Sequence, residues 1–209
     1  MKMMPRQQSI TVNGIGLAYY EWGSLNMPTL VCLHSHTNTA TSWREFAEFA
    51  SSGYHVLALD QMGHGNSEWS KTGYARDRFV EDLSEFVNIK KLNRFTLVGC
   101  SMGGWNSILY AHAHPNQVEK IVMVDIGPEP STQRLQSPQP PPLPIEFNSF
   151  IRGFEWLRSG NGFASDERLM EDAKARLCER ADGKWVWKAD LQGFDNPLPD
   201  MTDPVIINS

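Results

Sequence analysis

Short apolar runs alternate with longer amphipathic stretches along most of the chain. The runs Thr29–Leu33, Tyr54–Asp60 and Val118–Asp125 are rich in β-formers, as is typical of strands buried on both faces of a sheet. The stretches between them carry apolar residues at helical spacing, and the clearest set is Phe79, Leu83, Phe86 and Val87. This alternation predicts an α/β fold in which a mostly parallel, doubly wound sheet is covered by helices on both faces.

The two ends of the chain depart from this pattern. Near the start, Asn13-Gly14 separates the runs Gln8–Val12 and Leu17–Trp22, and its preference for positive φ favours a hairpin. After Gly127, the proline cluster Gln139–Pro144 predicts a stiff, extended connector. We therefore predict a core over residues 1–128, a connector and helical cap over 129–200, and a stub of a further core strand over 201–209.

The predicted cap is amphipathic and aromatic. Its apolar residues form two stripes at helical spacing: Phe147, Phe150, Ile151 and Phe154, then Leu169 or Met170, Ala173 and Leu177. Its aromatic residues predict an apolar roof over a substrate pocket, and they are Phe147, Phe150, Phe154, Trp156, Trp185 and Trp187.

The sequence Gly99-Cys100-Ser101-Met102-Gly103 joins a predicted strand, Arg94–Val98, to a predicted helix that begins near Trp105. Gly-x-Ser-x-Gly at such a junction is the nucleophile elbow, because its glycines permit a tight turn that raises the serine hydroxyl above the sheet. The N-terminus of the following helix would stabilise a negative oxygen at the same place. Ser101 is therefore the candidate nucleophile.

Composition narrows the expected surroundings and partners. The net charge of −5 is spread without long acidic or basic runs, so neither nucleic acid nor an anionic membrane is an expected partner. No stretch is long enough to cross a bilayer. The three cysteines are odd in number and widely spaced, which favours unpaired thiols in a cytoplasmic protein. A small-molecule substrate and no cofactor are expected.

From about Gly14 to Asp200 the sequence resembles the capped α/β-hydrolases. Four landmarks at the ends of predicted strands carry the resemblance: His34-Ser35-His36, Asp60–Ser67, the elbow at Ser101, and Val124–Pro128. The resemblance implies a serine hydrolase that cleaves a small ester, a thioester or a carbon–carbon bond of a diketone-like acid.

The resemblance also assigns roles to four residues. Ser101 would attack the acyl carbon, and the main-chain N–H groups of Met102 and His36 would hold the oxyanion. Asp125 stands where some relatives place the acid that orients the catalytic histidine. No metal has a role in this chemistry.

Three features depart from the family's pattern. Ser35 takes a place usually held by glycine, which costs about 1 kcal/mol or more if that place needs positive φ. Met62 stands where relatives usually carry arginine, which removes a charge near the mouth of the site. Asp203–Ser209 resembles only the opening of the seventh strand, whereas the family's histidine follows the eighth. The last strands and that histidine are thus expected to be absent from this chain.

The chain's own histidines offer no evident substitute base. His112 and His114 lie near the far end of the elbow helix, at a rise of about 1.5 Å per residue, and are out of reach of the serine. We interpret His34, His36 and His64 as structural loop residues, although each could approach Ser101. Two functions stay open: an impaired serine hydrolase, and a non-catalytic remnant or small-molecule binding protein of the same fold.

Other chemistries conflict with particular residues. The metal pattern His-x-His-x-Asp-His would need aspartate and histidine at the positions of Asn38 and Thr39. A dinucleotide loop that begins at Gly63 would need a third glycine in place of Glu68. Dehalogenases and epoxide hydrolases carry aspartate at the elbow, where this chain has Ser101.

The family's strand order leads to one further expectation. The seventh and eighth strands pair outward from the sixth, so their absence would leave Lys120–Asp125 at or near a sheet edge. An apolar edge is a template for pairing with another chain. We therefore expect self-association through this edge.

Overall fold

A six-stranded sheet forms the centre of the fold in a computed structural model, which describes residues 5–125 and 143–191. The strands are Arg6–Val12 (β1), Ile15–Trp22 (β2), Thr29–Leu33 (β3), His55–Leu59 (β4), Phe95–Cys100 (β5) and Val118–Val124 (β6). They lie in the order β1-β2-β4-β3-β5-β6. β1 and β2 form the predicted hairpin, β2 pairs antiparallel with β4, and the other pairs are parallel. The predicted α/β class and mostly parallel sheet are confirmed.

Helices cover both faces of this sheet. Along β3, Val31 and Leu33 point into a core shared with Arg76–Ile89 (α2) and Met102–Ala113 (α3). Leu30 and Cys32 point into a second core, which is covered by the 3₁₀ helix Ala40–Trp43 and by Arg44–Ala50 (α1). The side chains predicted to face inward from α2 are all buried: Phe79, Leu83, Phe86 and Val87. β3 is thus buried on both faces, as its continuous apolar sequence predicts.

The register of the parallel strands brings four loops to one edge of the sheet. Leu33 pairs with Leu59 on one side and with Gly99 on the other, and Cys100 pairs with Val124. The loops that follow β3, β4, β5 and β6 therefore emerge together at the carboxyl ends of their strands. In open α/β sheets this is the edge at which ligands bind.

The described part of the cap contains a small sheet as well as helices. Its elements are Glu146–Phe147 (β7), Phe150–Ser159 (α4), Asp166–Arg176 (α5), Leu177–Glu179 (β8) and Trp185–Trp187 (β9). The three strands lie in the order β7-β9-β8. The prediction of a purely helical cap is wrong at Phe147 and at Leu177, which lie in strands. The predicted proline connector and the stub at 201–209 fall largely or wholly outside the described residues.

A capping residue explains this error at the start of α4. The Ser149 hydroxyl accepts a hydrogen bond from the Arg152 N–H at 3.3 Å, so the helix begins immediately after Ser149. Phe147 precedes this N-cap and pairs with β9 instead. Ile151, predicted to face inward, is 52% exposed.

The aromatic residues of the cap pack mainly on one another. Trp187 is 2% exposed, and its ring centroid lies 5.7 Å from that of Phe147 and 5.5 Å from that of Trp156. Phe150 and Trp185 form a further edge-to-face pair at 4.9 Å. These residues build the cap's own hydrophobic core together with Leu157, Ala173 and Leu177. The predicted apolar roof is therefore a separate core within the cap.

The described residues also bear on the expectations about surroundings. None of their helices has the length and apolarity needed to cross a membrane. Cys32, Cys100 and Cys178 are free thiols, as predicted. The cytoplasmic location stays a prediction.

β6 is the outermost strand on its side of the described sheet. It is not buried on both faces as its sequence predicts, because Val122 and Val124 are 47% and 40% exposed. We expect the protein to self-associate through this strand at micromolar concentration, and the double substitution Val122→Lys and Val124→Lys to shift it towards monomer. Sedimentation velocity measures both. A stable wild-type monomer that melts cooperatively would contradict the expectation.

Candidate active site

Ser101 lies on a strained turn between β5 and α3. Its φ of 47° and ψ of −111° are unusual for a residue with a side chain, as at a nucleophile elbow. The Ser101 N–H donates to the Val124 carbonyl at 3.1 Å, and the Ser101 carbonyl accepts from the Trp105 N–H at 3.1 Å. Both sides of the turn are therefore fixed, while the serine itself stays partly exposed.

Two glycines make this turn possible by close approach of main chains. A Cβ on Gly99 would lie 2.4 Å from the Gly103 carbonyl oxygen, and a Cβ on Gly103 would lie 2.2 Å from the Leu33 carbonyl oxygen. The main chain therefore requires glycine at both positions, as the sequence pattern predicts. Because Gly103 lies against the Leu33 carbonyl, the first turn of α3, including the Met102 N–H, lies beside the end of β3.

The loop after β3 holds its strain at a residue other than the predicted one. The Asn38 N–H donates to the Ser35 carbonyl at 3.1 Å, which closes a four-residue turn, and Thr37 in this turn has a φ of 61°. Ser35 is not among the described residues with positive φ, so the expectation of strain there is wrong. A β-branched residue in such a conformation costs about 1–3 kcal/mol. His36 lies exposed in the middle of the turn.

Three histidine rings cluster behind this turn. The ring of His34 lies 4.9 Å from that of His64, which lies 5.8 Å from that of His36. Burial lowers the pKa of His34 to about 4 and holds the pKa of His64 well below its usual value. His34 is neutral with both nitrogens used: Nδ1 donates to the Ser35 carbonyl at 2.8 Å, and Nε2 accepts from the Gln61 N–H at 2.9 Å. His34 is therefore a structural residue, as interpreted from the sequence.

The other histidines are divided between remote positions and the cluster. His112 and His114 lie at the far end of α3, as predicted, and His55 begins β4 and contacts Glu21 at 2.8 Å. His55 is thus at the opposite end of its strand from the carboxyl edge. His36 and His64 are left as the histidines to test as a general base.

Asp125 and Met62 occupy different environments. Asp125 is exposed directly after β6, where the pairing of Cys100 with Val124 places it beside the elbow. Met62 is 1% exposed and packs in the core, so the expectation that it changes the charge at the mouth of the site is wrong.

Within residues 5–125 and 143–191, no group of three or more His, Cys, Asp or Glu side chains is arranged to hold a metal ion.

Asp60 joins two loops of the site, a structural role that the sequence analysis did not predict. Its carboxylate accepts the Ala40 N–H at 2.6 Å and the Asn66 N–H at 2.9 Å, and so joins the loop after β3 to the loop after β4. Burial raises the pKa of Asp60 to about 6, against the opposing effect of these two hydrogen bonds. Its place at the end of a buried strand, before Gly63 and Gly65, is the signal that could have found it.

The cap attaches to the same loops. The Asp190 N–H donates to the Gly63 carbonyl at 3.0 Å, and the Arg176 guanidinium donates to Thr37. Arg44 next to the 3₁₀ helix lies 3.2 Å from Glu171 of α5. These contacts place the cap over the carboxyl edge of the sheet, and none of them has a sequence signal because the partners are far apart in the chain.

The buried histidines predict acid sensitivity. Because the pKa of His64 is lower in the folded protein than in the unfolded chain, its contribution to stability is present above about pH 6.5 and is lost as the pH falls. Asp60 acts in the opposite direction between about pH 4 and 6, so a comparison with a variant is needed. We expect His64→Gln to lose less stability than wild type between pH 6.5 and 5, by up to about 1.4 kcal/mol per pH unit. Urea unfolding at each pH measures this, and parallel profiles would contradict it.

Comparison with known proteins identifies the family. The sequence profile described as "alpha/beta hydrolase fold" matches residues 28–197. The chain belongs to the α/β-hydrolase family. The resemblance and the fold class inferred from the sequence are confirmed by this match.

Curated relatives are similar to this chain over part of their length. A 3-hydroxybutyrate-oligomer hydrolase of Cupriavidus necator is 32% identical over 152 residues, which are 68% of this chain and 50% of the relative. A non-heme chloroperoxidase of Streptomyces lividans is 30% identical over 142 residues, 67% of this chain and 51% of the relative. The chain spans about half the length of the curated relatives it matches.

Solved α/β-hydrolase structures share the fold. An alpha/beta hydrolase from Novosphingobium aromaticivorans has a TM-score of 0.78 at 20% identity, covering 96% of this chain and 76% of its own. The thioesterase domain from the curacin biosynthetic pathway has a TM-score of 0.74 at 23% identity, covering 90% of this chain and 73% of its own. At these identities the likeness concerns the fold alone.

Proposed function

We propose that the chain carries the nucleophilic part of a serine-hydrolase site. In this proposal Ser101 attacks a carbonyl carbon of the substrate. The substrate is a small ester, a thioester or a diketone-like acid, and in the last case the bond that breaks is the carbon–carbon bond next to that carbonyl. The observation that carries the proposal is the backbone of Ser101, held at a φ of 47° between a buried strand and a helix N-terminus. A strained conformation of this kind persists only where the surrounding structure enforces it. The similarity to named hydrolases supports the same reaction class.

The proposed step places the developing negative charge between two loops. The Ser101 oxygen bonds to the acyl carbon, whose carbonyl oxygen becomes an oxyanion and accepts hydrogen bonds from the N–H groups of Met102 and His36. Met102 begins α3, so its N–H also contributes the positive end of the helix dipole. Each such donor lowers the barrier by about 3 kcal/mol. Gly103 supports this arrangement because it lets α3 touch the end of β3.

Among the described residues, His36 and His64 are the two histidines left to test as acceptors of the Ser101 hydroxyl proton. Four of the chain's six histidines are either remote from the elbow or committed at both ring nitrogens. Asp125 is the proposed acid, and an acid in this role acts only by orienting a histidine. We infer that the relay from Ser101 is incomplete and that the chain is an impaired hydrolase. The alternative is a non-catalytic small-molecule binding protein of the same fold, which the placement of the histidines favours.

An active-site probe tests the role of Ser101. Fluorophosphonates react with nucleophilic serines, and slowly where the base is incomplete, so on long incubation with excess probe we expect the folded protein to gain one phosphonyl group by intact-mass measurement and Ser101→Ala to gain none. Ser107→Ala is the matched control, because Ser107 lies on α3, where its hydroxyl bonds the Gly103 carbonyl, and its loss should leave labelling intact. Labelling that survives Ser101→Ala would rule out Ser101 as the nucleophile. A wild-type protein that binds small esters without being labelled would favour the binding-protein alternative.

A further inference from the structure

The turn after β3 needs an external restraint. Thr37 is the third residue of the turn Ser35–Asn38 and has a φ of 61°. Glycine or asparagine is usual at a position of this kind, because a side chain there crowds the main chain and a branched Cβ crowds it further. Thr37 is nonetheless buried, with 8% of its surface exposed. The adjoining residue, His36, carries one of the two N–H groups assigned above to the oxyanion.

Arg176 of the cap supplies this restraint through two hydrogen bonds. Its Nε donates to the Thr37 carbonyl at 2.9 Å, and its Nη2 donates to the Thr37 Oγ1 at 3.2 Å. The planar guanidinium therefore fixes both the direction of the peptide that follows Thr37 and the rotamer of its side chain. A single donor would leave one of the two free to turn.

Arg176 is itself held rigidly within the cap. Its guanidinium lies over the ring of Trp187, 5.1 Å from the centroid, and Trp187 is buried in the cap core. The main-chain carbonyl of Arg176 accepts from the Lys188 N–H at 2.7 Å. Asp172, one turn earlier on α5, provides a nearby negative charge. The donor is thus fixed by the cap before it meets the turn.

We propose that Arg176 is a positioning residue of the hydrolase site. It holds Thr37 in the left-handed conformation and thereby aims the His36 N–H at the oxyanion, so that the cap completes the oxyanion pocket as well as covering it. The inference rests on the proposed function of Ser101. It adds a role for the cap in the chemical step, distinct from any role in substrate choice.

Phosphonylation kinetics test this role, because the phosphonyl oxygen occupies the oxyanion pocket as the bond to Ser101 forms. We expect Arg176→Met to lower the maximal rate of labelling by about 10-fold or more. The probe concentration at which labelling reaches half of its maximal rate should change little. Arg176→Lys keeps the charge but lacks the planar guanidinium with two N–H donors, so it should restore only part of the rate. Arg180→Met is the matched control: Arg180 is an exposed cap arginine bonded to Glu146 and Asp182, and its loss should leave the rate unchanged.

The outcomes separate this inference from the proposed function. A wild-type protein that is not labelled at Ser101 contradicts the proposed function. A labelled wild type, with Arg176→Met equal to it in maximal rate, contradicts the role of Arg176 alone. A fall shared by Arg180→Met would indicate a general effect on the cap and would also overturn the inference. If Arg176→Met does not fold, Thr37→Val removes one of the two acceptors and leaves Arg176 in place. It should lower the maximal rate in the same direction, and an unchanged rate would overturn the inference.

Discussion

The purified 209-residue protein should hydrolyse an activated aryl ester only slowly, about 10⁴-fold or more below an ordinary turnover of about 10 s⁻¹. In the proposed impaired state no general base takes the Ser101 proton, so the remaining acceleration comes from the oxyanion donors and from binding, and the loss of one member of a triad removes most of the rate. Release of the aryl alcohol, with Ser101→Ala as the blank, measures this residual turnover.

An ordinary turnover would show that a general base exists within the chain. His36 and His64 would then be substituted first, because they lie on the loops that follow β3 and β4 and their ring centroids are 5.8 Å apart. His34→Ala would complete the set, although its two hydrogen bonds predict a loss of stability rather than a specific loss of rate. Such a result would contradict the impaired state of the hydrolase and leave the role of Ser101 intact.

The substitution Gly103→Ala should destabilise the fold by about 3 kcal/mol, a large part of the 5–15 kcal/mol that a domain has. The added Cβ would lie 2.2 Å from the Leu33 carbonyl oxygen and 2.8 Å from that of His34. Since these are main-chain atoms, relief requires α3 to move away from β3. Movement of α3 also displaces Ser101 and Met102, so the rate of fluorophosphonate labelling should fall with the stability.

Gly53→Ala provides the control for this substitution. Gly53 has ordinary φ, and a Cβ there would meet no atom within 4 Å, so its stability should change by less than about 0.5 kcal/mol. Urea unfolding of the two variants measures the difference. Equal stabilities would contradict the tight packing of α3 against β3 on which the site depends.

The core was predictable because local sequence determines it. Continuous apolar strands such as Thr29–Leu33 need burial on both faces, and a sheet of such strands needs helices on each side. The parallel order then brings the strand ends to one edge, so the residues after β3 and β5 had to meet there. The elbow was predictable for the same reason, because Gly-x-Ser-x-Gly has meaning only between a strand and a helix.

The cap and the fine geometry of the turn were not predictable in this way. Phe147 satisfies a helical spacing, but the hydroxyl of Ser149 begins the helix after it. The strain at Thr37 depends on Arg176, which lies 139 positions away along the chain. A spacing rule reports neighbours within an element, whereas these features are set by side chains that meet only once the cap lies on the core.

A crystal structure of the protein after reaction with a small alkyl fluorophosphonate shows whether Ser101 is the nucleophile and whether an oxyanion pocket lies beside it. We expect a bond from phosphorus to the Ser101 Oγ, with the phosphonyl oxygen about 2.7–3.1 Å from the main-chain nitrogens of Met102 and His36. A phosphonyl group on another side chain, or one on Ser101 whose oxygen faces away from both nitrogens, would contradict it.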